Sequence, residues 1–340
     1  MIQYKRVYIG VAALLALGLA WGIVTRQKPM SNPRPAVSSP VCGKKAVWIN
    51  SYHAGYTWSD TEYSAAEQHL SASGVQLKQI FLDAKRNTSD AYGMEAAKQI
   101  KSQIDDFSPD VIIAADDPAQ KYLIVPFYRG GSIPVVFCGV NWSTSEYGYP
   151  APNITGMIEV ELMTDLVRYL SVYAKGTRIA YVAVDDISER KIAEQYNTRF
   201  FNGMMTAIYA TGKQFADFCA AFESGQQAAD VIILGGNGGI LDWNDAVAIP
   251  FFLEHTRKPT GTANPWMVKY ALVAYSRMAE EQGQWAAAAA LRILGGTAPA
   301  SIPITENRIG KLYINLDIAE RMDIVFSPAL LKQAEVWHSQ

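Results

Sequence analysis

Five stretches of this chain place carboxylates, amides, hydroxyls and aromatic rings directly after short apolar runs. Ser51 to Trp58 (SYHAGYTW) follows AVWIN, Asp116-Asp117-Pro118 follows DVIIAA, and Cys138 to Trp142 (CGVNW) follows PVVF. Asp185-Asp186 follows RIAYVAV, and Gly235 to Gly239 (GGNGG), with Trp243 beyond it, follows DVIIL. Paired aspartates serve general acid–base chemistry in hydrolases. They also accept from a ligand's ammonium, or cap the helix that comes next. Asp117-Pro118 fits the cap, with proline at the first helical position. GGNGG lets backbone approach a ligand or a lobe interface, yet matches neither GxGxxG nor GxxxxGK[ST], and these ends lack a lysine that could clamp a phosphate. No Ser–His–Asp arrangement accompanies His53, and GxSxG is absent. Nothing here nominates an activated nucleophile, so binding is expected and catalysis is not. Tyr52, Tyr56, Trp58, Trp142 and Trp243 are core or cleft wall by type, and their clustering in these loops favours a cleft wall for some of them. Cys138 reads as a small buried hydrophobe.

Composition narrows the chemistry further. The 340 residues are 49% apolar and 18% charged, enough for a sizeable core and for two domains. No acidic residue precedes Asp60, whereas seven of the 30 basic residues do; the remainder carries 23 basic against 32 acidic residues, a net of −9. A body of that sign repels phosphate backbones, which argues against a nucleic-acid partner. Three widely separated cysteines exclude a disulfide scaffold or a multi-cysteine zinc site, and His53, His69, His255 and His338 have no metal-ligand spacing. No metal or cofactor is expected.

Val7 to Val24 is an eighteen-residue uncharged run after Lys5 and Arg6, at the short end for a membrane span and the long end for a signal-peptide core. It reads as a membrane anchor, or as a signal cleaved after Ala20; either places the body outside the cytoplasm. Residues 25–45, with four of the sixteen prolines, read as an extended tether. From Ala46 onward, strand-like runs (46–50, 76–82, 110–115 and 134–140) alternate with helical stretches (60–73, 91–106 and 118–128). The alternation restarts with strands at 178–184 and 230–234 and helices at 188–200 and 242–255. Apolar runs of that length separated by amphipathic segments indicate βαβ units and parallel sheets. Ligands of such sheets sit beyond the carboxyl ends of the strands, which is where the stretches above fall.

Six segments, in order, carry a family resemblance: INSYHAGYTWSD (49–60), PDVIIAADDPAQKYLIVPF (109–127), PVVFCGVNW (134–142), LGGNGGILDWND (234–245), EEQGQWAAAAALRILGGTAPASIPI (280–304) and KLYINLDIAERMDIVFSPALLKQAEV (311–336). Together they cover nearly everything after the tether. The chain resembles the extracytoplasmic substrate-binding proteins of ABC transporters, in the group with tryptophan- and tyrosine-type binders, which also supplies sensor modules of bacterial signalling proteins. The resemblance implies an α/β fold of type I periplasmic-binding-protein-like architecture: two doubly wound parallel-sheet lobes with a ligand cleft between them, joined by several crossings. With the restarted alternation, it implies a first lobe of 46–159 plus 262–294 and a second of 160–261 plus 295–340. Carried over by position, Ser51, Tyr52, Asp116, Asp117, Asn141, Asp185 and Asn237 would face that cleft. The lipobox common in transporter-bound members is missing, and no kinase or cyclase domain follows Gln340. An ABC permease or a membrane signalling protein is the expected receiver. Such a cleft suits a small amino-acid-like ligand. Helix N-termini and Ser51 would meet its carboxylate, Asp116, Asp117 or Asp185 its ammonium, and tyrosines or tryptophans its side chain. Asp, Asn and Trp also serve sugar clefts.

Overall fold

The computed structural model describes residues 41–339, and the apolar runs in them become the strands of two sheets. In chain order the first seven strands are β1 (Lys45–Asn50), β2 (Gln76–Phe81), β3 (Val111–Ala115), β4 (Val135–Asn141), β5 (Ile154–Glu159), β6 (Ile179–Val184) and β7 (Met205–Ala210). They are followed by β8 (Val231–Leu234), β9 (Thr260–Thr262), β10 (Val273–Arg277), β11 (Thr305–Glu306), β12 (Gly310–Asn315) and β13 (Ala334–Trp337). One sheet runs β11-β5-β4-β3-β1-β2, with every pair parallel. The other runs β13-β12-β10-β9-β8-β6-β7, parallel except where β10 meets β12.

Burial explains the uninterrupted apolar runs. Val47, Ile49, Ile112 and Ala114 pack with Ala97, Ile100 and Ile104 of the helix Asp90–Phe107. On the opposite face Ala46, Trp48, Val111 and Ile113 pack with Ala66 and Leu70 of the helix Thr57–Ala72 and with Ala286 and Ala290 of the helix Ala279–Leu294. A strand covered on both faces needs apolar residues at every position, so alternation disappears. The two helices on this second face lie very close: a Cβ at Gly283 would collide with the carbonyl of Glu62. Only glycine allows that approach, and it seals Glu62 into the lobe.

The sheets divide the chain differently from the expectation above. β10 bonds to β9 and β12, so residues 262–277 stay with the second lobe. The helix Ala279–Leu294 packs on the first lobe and β11 pairs with β5, which carries the first lobe to Glu306. Apolar periodicity shows that a strand exists but not which sheet it joins. The chain therefore crosses between lobes three times, after β5, after β10 and after β11. These crossings are stitched to one another. The Asn307 side chain accepts from Val160 N–H at 2.7 Å and donates to Val160 O at 3.0 Å. The Glu281 carboxylate accepts from the N–H groups of Arg308 and Ile309 at 2.9 and 2.8 Å.

The end of the expected tether belongs to the fold: Val41 is buried, and Gly43 N–H donates to Gly74 O at 2.9 Å. The Val7 to Val24 segment and residues 25–40 lie outside the described residues. Among the described residues no helix is long and apolar enough to cross a membrane.

Candidate functional site

A cleft of about 920 Å3 opens at the carboxyl ends of the strands. Its first-lobe wall is made by Tyr52, Tyr56 and Trp58 after β1, Asp116 after β3, Asn141 ending β4 and Glu159 ending β5. The facing wall comes from Asn264 and Trp266 after β9, Ser276 and Arg277 ending β10, and Lys311 and Tyr313 on β12. Two sixteen-residue helices begin there, Thr57–Ala72 and Ala279–Leu294, and neither first turn has a side-chain cap. Their free backbone N–H groups and positive dipole ends suit an anionic group.

The inner end of the cleft is acidic and its carboxyl groups are buried. Asp116, buried, holds a left-handed backbone conformation (φ 64°), and its Oδ2 accepts from Ser59 Oγ at 3.3 Å. Gly139, also left-handed (φ 68°), sits where a Cβ would lie 2.9 Å from Glu62 Oε1 and 3.0 Å from Asp116 Oδ1, so both carboxyl groups face one point. Glu62 Oε1 accepts from Trp58 Nε1 at 3.1 Å. Glu159 accepts from Arg277 Nε at 2.6 Å, and Arg277 also bonds Glu161. The second carboxyl oxygens of Glu62, Glu159 and Glu161 are buried with no hydrogen-bond partner among the described residues.

That crowding moves acidities. Burial raises the Glu62 carboxyl well above the usual carboxylate range, and the charges of Asp116 and Glu159 push it the same way. Asp116 is raised by burial, then by Glu159 and Asp117. Burial brings Glu159 up to about 7, although Arg277 pulls it down. Taking a carboxylate out of water favours the neutral form, and neighbouring carboxylates add to this. Arg277 is opposed by its own desolvation, but Glu161 and Glu159 hold it firmly charged.

Aromatic rings line the approach. Tyr52 and Tyr56 pack edge-to-face at 4.8 Å. Lys85 Nζ lies 5.4 and 5.2 Å from their ring centres, and the Arg277 guanidinium lies 5.1 Å from that of Trp58.

Of the residues anticipated from sequence, Tyr52, Asp116 and Asn141 meet at this cleft. Asp117 stands beside it in a supporting position. It accepts from Asn141 Nδ2 at 2.8 Å, Asn141 N–H at 3.2 Å and Tyr147 OH at 2.8 Å, rather than acting as a helix cap. Ser51 is fully buried. Its hydroxyl donates to Ala115 O and accepts from Ala119 N–H, clasping β1 to the turn after β3. Asp185 follows β6 as expected but bonds Arg190 at 2.6 Å, outside the cleft lining. Asn237 also lies outside that lining, in a glycine loop tied to the Glu189 carboxylate through Gly236 N–H. Trp243 is core: it packs on Phe215 and Phe218 and donates to Tyr270 OH at 2.8 Å. Trp142 packs on Tyr196 and Phe200 of the second lobe.

Glu62, Glu159, Glu161, Arg277 and Trp266 escaped the sequence reading. For Glu159 a signal existed, since a charged residue closing the buried run ITGMIE stands at a strand's carboxyl end.

Two doubly wound lobes, three crossings and a cleft at the strand ends define a type I periplasmic-binding-protein architecture. The family model described as ABC transporter substrate binding protein matches residues 60–337, and the chain belongs to that family. A conserved domain protein from Vibrio cholerae has 19% identity and a TM-score of 0.56 over 87% of this chain and 99% of its own. A ligand-free, open substrate-binding protein with adhesive properties from Clostridium difficile has 13% identity and a TM-score of 0.67 over 88% and 100%. An ABC domain from Streptococcus pneumonia in complex with L-Trp has 16% identity and a TM-score of 0.51 over 86% and 99%. No curated protein matches the sequence.

Proposed function

We propose that this protein is the extracytoplasmic solute-binding component of an ABC-type transport system, and that it closes its lobes on a small amino-acid-like ligand for delivery to a permease. The N-terminal Val7 to Val24 segment, as anchor or cleaved signal, takes the body across the membrane. One observation carries the ligand class: buried carboxyl groups of Asp116 and Glu159 border a cleft that also offers aromatic faces and two uncapped helix N-termini. The ligand's ammonium sits against Asp116 and Glu159 and favours their charged forms, against the effect of burial. Its carboxylate takes the free N–H groups at the start of the helices Thr57–Ala72 and Ala279–Leu294. Its apolar part lies between Trp58 and Trp266, one from each lobe, so closure completes the site.

The test is titration calorimetry of the wild type and of Asp116→Asn with amino acids and with sugars. Asparagine tolerates the left-handed backbone that Asp116 adopts. Loss of a desolvated charge partner costs about 2–5 kcal/mol, so the variant should bind amino acids at least about thirtyfold more weakly. Binding of sugars with no response to amino acids would overturn the ligand class. Unchanged affinity in Asp116→Asn would overturn the site.

A further inference from the structure

The inner end of the cleft gathers more carboxyl groups than it has cations to pair with them among the described residues. Glu62, Asp116, Asp117, Glu159 and Glu161 act on one another electrostatically across this region. Arg277 is the cation that pairs with any of them among the described residues, and it serves both Glu159 and Glu161. Asp117 is bonded by the neutral side chains of Asn141 and Tyr147, Glu62 by Trp58 and Asp116 by Ser59. Lys85 is near enough to favour the charged form of Asp116. Five carboxyl groups thus meet two cations; Asp116 and Glu159 line the cleft itself, and the buried second oxygen of Glu159 lacks a donor among the described residues, as do those of Glu62 and Glu161 outside the lining.

Both bases rest on the aromatic walls. The Arg277 guanidinium covers Trp58, and Lys85 Nζ covers Tyr52 and Tyr56. Arg277, which lines the cleft, thereby sets a pattern that suits it: an alkyl stem with a cationic head over a ring and a carboxylate beside it. A neutral zwitterion brings no net charge to such a place.

We propose that the ligand carries a net positive charge, as a basic amino acid or a similar amine or guanidine on an alkyl stem does. This rests on the amino-acid-like reading above and narrows it. The α-ammonium meets Asp116 and Glu159, and the second cation, stacked on the aromatic wall, favours the charged form of the carboxyl groups behind them.

Calorimetry with isosteric pairs tests it: L-lysine against L-norleucine, and L-arginine against L-citrulline. The expected result is that each basic ligand binds at least about tenfold more tightly than its neutral partner, equivalent to about 1.4 kcal/mol. Glu62→Gln and Glu161→Gln, each confirmed folded by thermal melting, should reduce that ratio. A general loss of structure would weaken both members of a pair alike, so the ratio separates charge recognition from fold. Equal or tighter binding of norleucine and citrulline, or a ratio unchanged in both variants, would overturn the proposal. If neutral amino acids bind as tightly and Asp116→Asn abolishes this, the amino-acid-like reading stands and only the net charge is wrong. Binding of sugars alone would remove both.

Discussion

Replacing Glu159 by glutamine should strip a pH dependence from the stability of the ligand-free protein. Glu159 closes β5 with 4% of its surface exposed. One oxygen accepts from Arg277 at 2.6 Å, and the other has no partner among the described residues. Burial raises its pKa from the ordinary 4.5 to about 7 despite Arg277. Between those values the folded protein keeps a proton that the unfolded chain has released. Stability therefore falls as pH rises from about 4.5 to about 7 and is level beyond that. The gap is about two and a half powers of ten in acidity. At about 1.4 kcal/mol for each power, the loss attributable to Glu159 is about 3 kcal/mol. In glutamine that contribution is absent at every pH. The advantage of wild type over Glu159→Gln should thus be about 3 kcal/mol smaller at pH 8 than at pH 4. Any pH-independent cost of placing an amide beside Arg277, which Glu161 still holds, cancels from this comparison. Urea unfolding followed by tryptophan fluorescence at several pH values measures it. A difference that does not vary with pH, or that grows in favour of wild type as pH rises, would refute the claim that this carboxyl is desolvated.

Gly139→Ala should destabilise by about 1–3 kcal/mol and weaken ligand binding, because a methyl at φ 68° would press on the carboxyl groups of Glu62 and Asp116; denaturant unfolding and calorimetry read the two effects. Asn307→Ala leaves both the N–H and the C=O of Val160 without their buried side-chain partner. A cost of about 1–3 kcal/mol is expected by denaturant unfolding. Asp117→Ala removes the acceptor that holds Asn141 and Tyr147, so it should lower the melting temperature and reduce affinity less than Asp116→Asn does.

Much of the fold was legible because parallel strands buried on both faces leave an unbroken apolar trace. The runs expected at 110–115 and 178–184 are β3 and β6, Val111–Ala115 and Ile179–Val184, and the helix expected at 91–106 is Asp90–Phe107. What periodicity could not supply was partnership: β10 joins the second sheet and β11 the first through hydrogen bonds that leave no local mark. The same limit governs the site. Tyr52 and Asp116 follow strands and Asn141 ends one, and all three border the cleft. Asp185 and Asn237 also follow strands, but β6 and β8 do not border the cleft, whose second-lobe wall comes from β9, β10 and β12. Glu62 lies inside an ordinary helical stretch, TEYSAAE. It is buried only because a distant helix of alanine and glycine presses against it, and no local pattern reveals that.

The central claim is that this cleft holds a small amine-bearing solute, and native mass spectrometry of freshly purified protein, followed by release and identification of whatever is retained, tests it most directly. The account predicts a small ligand with an amino group and a net positive charge, released more readily from Asp116→Asn than from wild type. A retained sugar or phosphorylated compound, held equally by both proteins, would contradict it.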